Sequence, residues 1–327
     1  MNSEGSDHQL RVYSDITGLV ASPENPTPLV RLNRINPNKD FEIYLKMERY
    51  NPFGSVKDRI VKEMMKNLDT NGRTVVEPSS GNTGIALACI ANAMGIPVEI
   101  AIPDKIPEEK KVMLRFLGAN VMEADDSLCP AFPSEGARGL VNALVLSPAT
   151  RDGYVSPNQY ENELNVLAHY KGTGPEIWKQ TQGEIGYFFA AYGTCGTITG
   201  VGKYLKEQNP DIKIIGVEPS TSEHKLPGMK RITGLSEEYI PKILDTSVID
   251  ETVEVDDEDA YSTAIKLARK EGIPVGPTTG AILHAALTVA GSGKGIAVAI
   301  SPDDAFKYTS FYQEVLSSGL VEAGEGI

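Results

Sequence analysis

Cysteine is scarce in this chain. Three occur in 327 residues, Cys89, Cys129 and Cys195, far apart and without any C-x-x-C spacing. That set excludes a disulfide framework and a zinc knuckle, and it fits a reducing cytoplasm. Histidine is scarce too, with four residues that support no metal site. His284, at helical spacing, reads as a core or capping residue. Positive charge is in short supply: 31 Lys and Arg stand against 44 Asp and Glu, for a net charge of −13. A nucleic-acid binder needs a basic face, so no nucleic-acid partner is expected. Anionic membranes are disfavoured as well, and an anionic substrate needs a locally basic pocket. No apolar run reaches the roughly 18 residues of a membrane helix. The opening "MNSEGSDHQLRVYSD" is too polar and acidic for a signal peptide. Repeats and low-complexity blocks are missing. Hydrophobic residues make up 41%, enough for one large α/β unit or two modest domains.

What is present is alternation. "RTVVEPS" (73–79) reads as a strand and "TGIALACIANAMG" (83–95) as a helix; "PVEIAIP" (97–103) and "PEEKKVMLRFLG" (107–118) repeat the pair, and "ANVMEA" (119–124) follows as a strand. Later come "YFFAAY" (187–192), "TITGVGKYLKEQ" (197–208) and "IKIIGVEP" (212–219), then the helix "DEDAYSTAIKLARKEG" and the strand "GIAVAIS". Strands alternating with helices imply parallel sheets with crossover helices. The strands are apolar on both faces, as buried parallel strands require. Residues 125 to 160 read as irregular, with a domain junction near their end.

Three stretches follow strands, where open α/β sheets bind ligands. "EPSSGNTG" (77–84) offers hydroxyls, glycines and Asn82; taken alone it is equally a turn with a good N-cap. "GTCGT" (193–197) puts two glycines and two threonines at a helix start, a phosphate cradle of backbone donors, hydroxyls and a favourable dipole. It is no Walker loop, because the Lys-Ser/Thr ending is missing. "GSGKG" (291–295) lacks the Walker spacing and reads as a turn. "GPTTGAILHAAL" (276–287) supplies Thr278 and Thr279 before a helix, where Thr279 is also a plain N-cap candidate.

The fourth feature is a lysine in "NPFGSVKDRIVKEMM" (51–65). Ser55 and Asp58 form an S-x-x-D capping box, and Val56, Ile60, Val61, Met64, Met65 and Leu68 follow helical spacing. Lys57 then sits in a first helical turn, where the macrodipole disfavours a cation by roughly 0.3–1 kcal/mol. The same field favours the neutral amine that imine formation needs.

A phosphate cradle, an amide-bearing loop, a late hydroxyl and a lysine at a helix start together suit pyridoxal phosphate. With "NPFGSVKDR", "SSGNTG", "PNQYEN", "GTCGT" and "TTGA" in this order, the chain resembles the cysteine synthase and cystathionine β-synthase family. These are fold-type II pyridoxal-phosphate enzymes, and the likeness runs from "NPTPLVRL" (25–32) to about Gln313. The resemblance implies a tryptophan-synthase-β-like fold: two α/β domains with mostly parallel, open twisted sheets. Residues 47–158 would form a smaller mobile domain and 1–46 with 159–327 a larger one, with the cofactor in the cleft between them. It implies a homodimer as well. Lys57 would hold pyridoxal phosphate as a Schiff base and act as acid/base at Cα. Asn82 would bond the ring oxygen O3′. Gly193, Thr194, Cys195, Gly196 and Thr197 would cradle the phosphate, and Thr278 would face the pyridine nitrogen. Ser79, Ser80, Gly81, Thr83 and Gln159 would grip the substrate carboxylate.

Cys195 stands where many relatives have glycine, and a threonine where serine is common. A neutral hydroxyl opposite the pyridine nitrogen favours prompt loss of a β-substituent, so the implied chemistry is β-elimination followed by thiol addition. The expected product is L-cysteine, made from O-acetylserine or O-phosphoserine and a sulfide source. Cystathionine formation from homocysteine, or a silent family member acting as a binding protein, are the alternatives. "HKLPGMKRITGL" (224–235) is basic in an acidic chain. It is either a solvated loop or a site where Arg231 reads a phosphate leaving group. The end, "EAGEGI" (322–327), is either a disordered tail or, by likeness to the end of serine acetyltransferases, a carboxylate that competes for the substrate site.

Overall fold

A computed structural model describes residues 12–66, 68–125, 134–291 and 293–318. Cys129 and the tail at 322–327 lie outside the described residues. In chain order the elements are β1 (Leu29–Arg31), β2 (Phe41–Met47), α1 (Lys57–Lys66), β3 (Thr74–Pro78), α2 (Asn82–Met94), β4 (Val98–Pro103), α3 (Glu108–Phe116), β5 (Asn120–Ala124), α4 (Gly136–Leu146), β6 (Tyr154–Val155), α5 (Glu163–Ala168), α6 (Gly174–Gln180), β7 (Ile185–Ala191), α7 (Gly196–Gln208), β8 (Lys213–Pro219), β9 (Glu251–Val255), α8 (Asp257–Glu271), α9 (Pro277–Ala290), β10 (Gly295–Ser301) and α10 (Thr309–Ser317). A π-helical turn, His169–Thr173, joins α5 to α6.

Two sheets result. The larger has the order β1-β2-β10-β7-β8-β9 and the smaller β5-β4-β3-β6. All pairs are parallel except β1 with β2. The chain builds two strands of the large sheet, leaves to make the small one, and returns for the rest. Each sheet has its own apolar core, one around Phe188, Phe189 and Val298, the other around Ile60, Leu87 and Ile100. Helix α2 is buried from Thr83 to Ala88 because its small residues allow close approach. A Cβ on Gly84 would come within 2.8 Å of Ile100.

The alternating strands and helices form where the pattern predicts them. The stretch 125–160 differs: it contains α4, whose glycines at 136 and 139 hide its helical period. Strand β9 also escapes the pattern, because it is an edge strand with most of its side chains solvated.

Between the sheets lies a fully buried ionic cluster. Arg59 of α1 meets Glu48 at 2.6 Å and Glu176 of α6 at 2.6 Å, and Lys46 of β2 meets Glu176 at 2.7 Å. Burial opposes the ionisation of Glu48, but the Arg59 guanidinium overcomes it and holds the carboxyl at about 2. Two cations thus balance two anions, and the start of α1 is fixed against β2 and α6.

Candidate active site

One cleft lies at the carboxyl ends of β3, β7 and β10. Its walls include Ser80 after β3, Ala191 to Thr194 after β7, and Pro302 and Asp303 after β10. Open parallel sheets place ligands at such strand ends.

Lys57 is the first residue of α1 and lines this cleft. Its Nζ lies 3.2 Å from Thr194 Oγ1. The capping box around it is modified. Lys57 N donates to Ser55 Oγ at 3.3 Å, while Asp58 accepts from Ser55 Oγ at 3.2 Å and from Phe53 N at 2.6 Å. Burial pushes the Asp58 carboxyl up to about 7.

Residues 193–197 turn from β7 into α7. Cys195 occupies the N-cap position at φ +70°, and no side chain caps the helix. The left-handed backbone explains why glycine suits this position. The uncapped first turn opens into the cleft, as an anion site requires. Two neighbours press on the loop so closely that only glycine fits. A Cβ on Gly193 would come within 2.6 Å of Gly228 O, and one on Gly196 within 1.9 Å of Asn165 Oδ1. Both threonine hydroxyls are held from behind. Asn165 Nδ2 donates to Thr194 Oγ1 at 3.1 Å, and His169 Nε2 lies 3.1 Å from Thr197 Oγ1. His169 Nδ1 meets Thr173 Oγ1 at 2.9 Å. Burial pushes the imidazole down to about 3, with Arg59 adding to the effect, so the ring is neutral.

The 79–84 loop divides its side chains. Ser79 is buried and does not line the cleft; its Oγ accepts from Gly81 N and Gly84 N, both at 2.9 Å. The hydroxyl expected to grip a carboxylate instead satisfies the start of α2, because two orphan N–H groups sit above it. Ser80, Asn82 and Thr83 do face the cleft. Gly81 has φ +122° and packs on the Lys110 stem, whose Cδ would lie 2.3 Å from an added Cβ. Thr83 Oγ1 donates to Gln159 Oε1 at 2.7 Å, and Gln159 N is anchored on Glu77 at 2.9 Å. Thr278 lines the cleft, whereas Thr279 turns away to Ser301 at 3.1 Å.

A family described as pyridoxal-phosphate dependent enzymes matches residues 20–303. The chain is 40% identical to the cysteine synthase of Aquifex aeolicus over 295 residues, 86% of this chain and 88% of that one. The chain belongs to the cysteine synthase family. Among solved structures, a hydrogen sulfide-producing enzyme of Fusobacterium nucleatum superposes with a TM-score of 0.80 at 33% identity, covering 91% of this chain and 100% of that one. An O-ureido-L-serine synthase superposes with a TM-score of 0.80 at 30% identity, covering 96% and 98%.

The cofactor of this cysteine synthase family member is pyridoxal phosphate, and the residues present fit it. An uncapped helix start squeezed by Gly228 and Asn165 suits a phosphate, and a lysine amine reaches the same loop.

Arg231 is not brought to the cleft. Its guanidinium donates to Pro219 O, Ser220 O and Glu254 at the outer end of β8 and β9. Its neighbour points the other way: Lys230, whose N–H donates to Tyr192 O at 2.8 Å, is buried. Lys230 Nζ lies 5.3 Å from the centre of the Tyr160 ring, and that ring lines the cleft.

The motifs also missed Lys110, Asp303 and Tyr308. All three are buried and line the cleft. "EEKK" reads as a solvated helix start, yet both of its lysines are buried, and of the two Lys110 lines the cleft. His284 is half-exposed near Asp259 at 3.7 Å. Among the described residues no cluster of His, Cys, Asp and Glu could hold a metal, and no helix is long and apolar enough to cross a membrane.

Proposed function

We propose that this enzyme forms L-cysteine by β-replacement. An O-activated serine, O-acetylserine or O-phosphoserine, loses its β-substituent, and a sulfide source adds in its place. When bound, pyridoxal phosphate supplies the electron sink for the pair left at Cα. Lys57 holds the cofactor through Nζ and carries the proton at Cα. Residues 193–197 receive the phosphate, Asn82 the ring oxygen and Thr278 the ring nitrogen. Ser80, Gly81, Thr83 and Gln159 bind the donor carboxylate. For Thr197 to donate to the phosphate, His169 Nε2 must carry its proton and donate to Thr197, while Nδ1 accepts from Thr173. Residues 47–158 form the unit that closes over the donor, and the working form is a homodimer with twice the 35.3 kDa chain mass.

The observation that carries this reading is the 3.2 Å approach of Lys57 Nζ to Thr194 Oγ1. It puts an amine beside an uncapped helix start in a cleft that also holds Ser80, Thr83 and Gln159. The test is a side-by-side assay of O-acetylserine, O-phosphoserine and serine, each with sulfide and with homocysteine. Cysteine from an activated serine supports the reading. Cystathionine as the faster product, or no turnover by the cofactor-loaded protein, overturns it.

A further inference from the structure

Asn82 is held at both ends of its amide by opposite charges. Its Nδ2 donates to Asp303 Oδ2 at 2.6 Å, and its Oδ1 accepts from Lys307 Nζ at 3.4 Å. Turning the amide over would set oxygen against carboxylate and NH2 against ammonium, so a single orientation is stable. An NH2 group has two protons, and Asp303 takes one.

Asp303 is itself fixed. Tyr308 donates its hydroxyl to Oδ2 at 2.5 Å, and Lys110 Nζ donates to Tyr308 Oη at 2.9 Å. Burial, reinforced by Asp303, keeps the Tyr308 phenol far above its usual range, so it stays a donor. Asp303 Oδ1 has no partner among the described residues and packs on Gly276, where a Cβ would come within 2.2 Å. The carboxylate is thus held by two donors on Oδ2 and by the Gly276 backbone behind Oδ1. Lys110 and Asn82 come from the helices of the small sheet; Asp303, Lys307 and Tyr308 follow the last strand of the large one.

We propose that Asp303, braced by Tyr308 and Lys110, is a positioning residue that fixes the Asn82 amide so that its second Nδ2–H faces the cofactor ring oxygen. This rests on the reading of Asn82 as the ring contact. The chain of bonds sets a hydrogen-bond donor before the cofactor arrives, at no cost of reorganisation on binding. A fastening role alone would use the same bonds to hold the two sheets together, without effect on the bound cofactor.

The experiment compares wild type with Asn82→Ala, Asp303→Ala, Asp303→Asn, Tyr308→Phe and the double variant Asn82→Ala/Asp303→Ala. Pyridoxal phosphate is titrated into each apoenzyme, and the visible absorption band and thermal midpoint are recorded. Asp303→Ala is expected to weaken cofactor binding about tenfold, the size of one lost hydrogen bond, and to shift or broaden the band. Asp303→Asn, which keeps an acceptor, recovers part of both. The double variant binds no more weakly than Asn82→Ala alone, because Asp303 acts through Asn82. Wild-type affinity and band in Asp303→Ala, with only a lower midpoint, overturn the proposal in favour of a fastening role. Tyr308→Phe decides in the same way if Asp303→Ala does not fold. If Asn82→Ala itself keeps the wild-type band and affinity, the reading of Asn82 fails instead.

Discussion

Lys57 Nζ and Thr194 Oγ1 stand 3.2 Å apart, though 137 residues separate them in the chain. One begins α1, the other ends the turn out of β7, and Asn165 Nδ2 donates to the same hydroxyl at 3.1 Å. The amine and the turn into α7 are thus set against each other across the cleft.

Replacing Lys57 should remove the covalent cofactor and the proton carrier together. Lys57→Ala is expected to lose borohydride-fixed cofactor and at least about a thousandfold in kcat. Mass spectrometry of the reduced, digested protein checks this. Label retained on the variant at the same peptide contradicts the assignment.

Gly81→Ala should damage both stability and turnover. The position has φ +122°, and a Cβ would sit 2.3 Å from the Lys110 stem. A cost of about 1–3 kcal/mol is expected from strain and overpacking. Urea unfolding measures it, and a variant as stable as wild type would show that the loop is freer than its packing implies.

His169 gives the enzyme an acid-side weakness. Its ring is held neutral down to about 3 by burial and Arg59, whereas in the unfolded chain it protonates near 6.5. Between those values the unfolded state binds a proton that the folded state refuses. Stability therefore falls as pH drops below about 6.5, by up to about 1.4 kcal/mol per unit. Comparing wild type with His169→Gln at pH 7.5 and 5.5 should show the variant losing about 1.4 kcal/mol less. Equal losses would assign the acid sensitivity elsewhere.

Arg59→Ala should be among the most destabilising single changes. It leaves Glu48 and Glu176 buried with only Lys46 to balance them. A loss of about 3–5 kcal/mol is expected, with weaker cofactor binding because Lys57 shares the helix. A denaturation midpoint within error of wild type would show that the cluster is dispensable.

The donor loop should move. Thr83 Oγ1 donates to Gln159 Oε1 at 2.7 Å and Gln159 Nε2 donates to Pro78 O at 2.8 Å, so a carboxylate must draw these donors away from their present partners. Crystals with and without a donor analogue are expected to differ in the position of residues 80–83. Superposable loops would count against closure over the substrate.

Much of this was legible in the chain itself. Hydrophobic period and flanking glycines placed β3, α2, β4, α3, β7, α7, β8, α8 and β10, because each buries a face whose spacing is written locally. Lys57 in a first helical turn and the turn into a helix at 193–197 were legible for the same reason: caps and turns depend on neighbours a few residues away. Tertiary structure alone decided which side chains reach the cleft. Lys230 is buried, whereas Arg231 finds Glu254 and the carbonyls of Pro219 and Ser220 instead of the cleft. Two N–H groups above Ser79 converted a presumed substrate contact into a cap. Asp303 meets Asn82, and Tyr308 meets Lys110, only because the segment after β10 crosses to the small sheet, with Lys110 and Tyr308 198 residues apart. Local sequence sets the period and the cap; the direction of a loop side chain is set by the partner it finds across the fold.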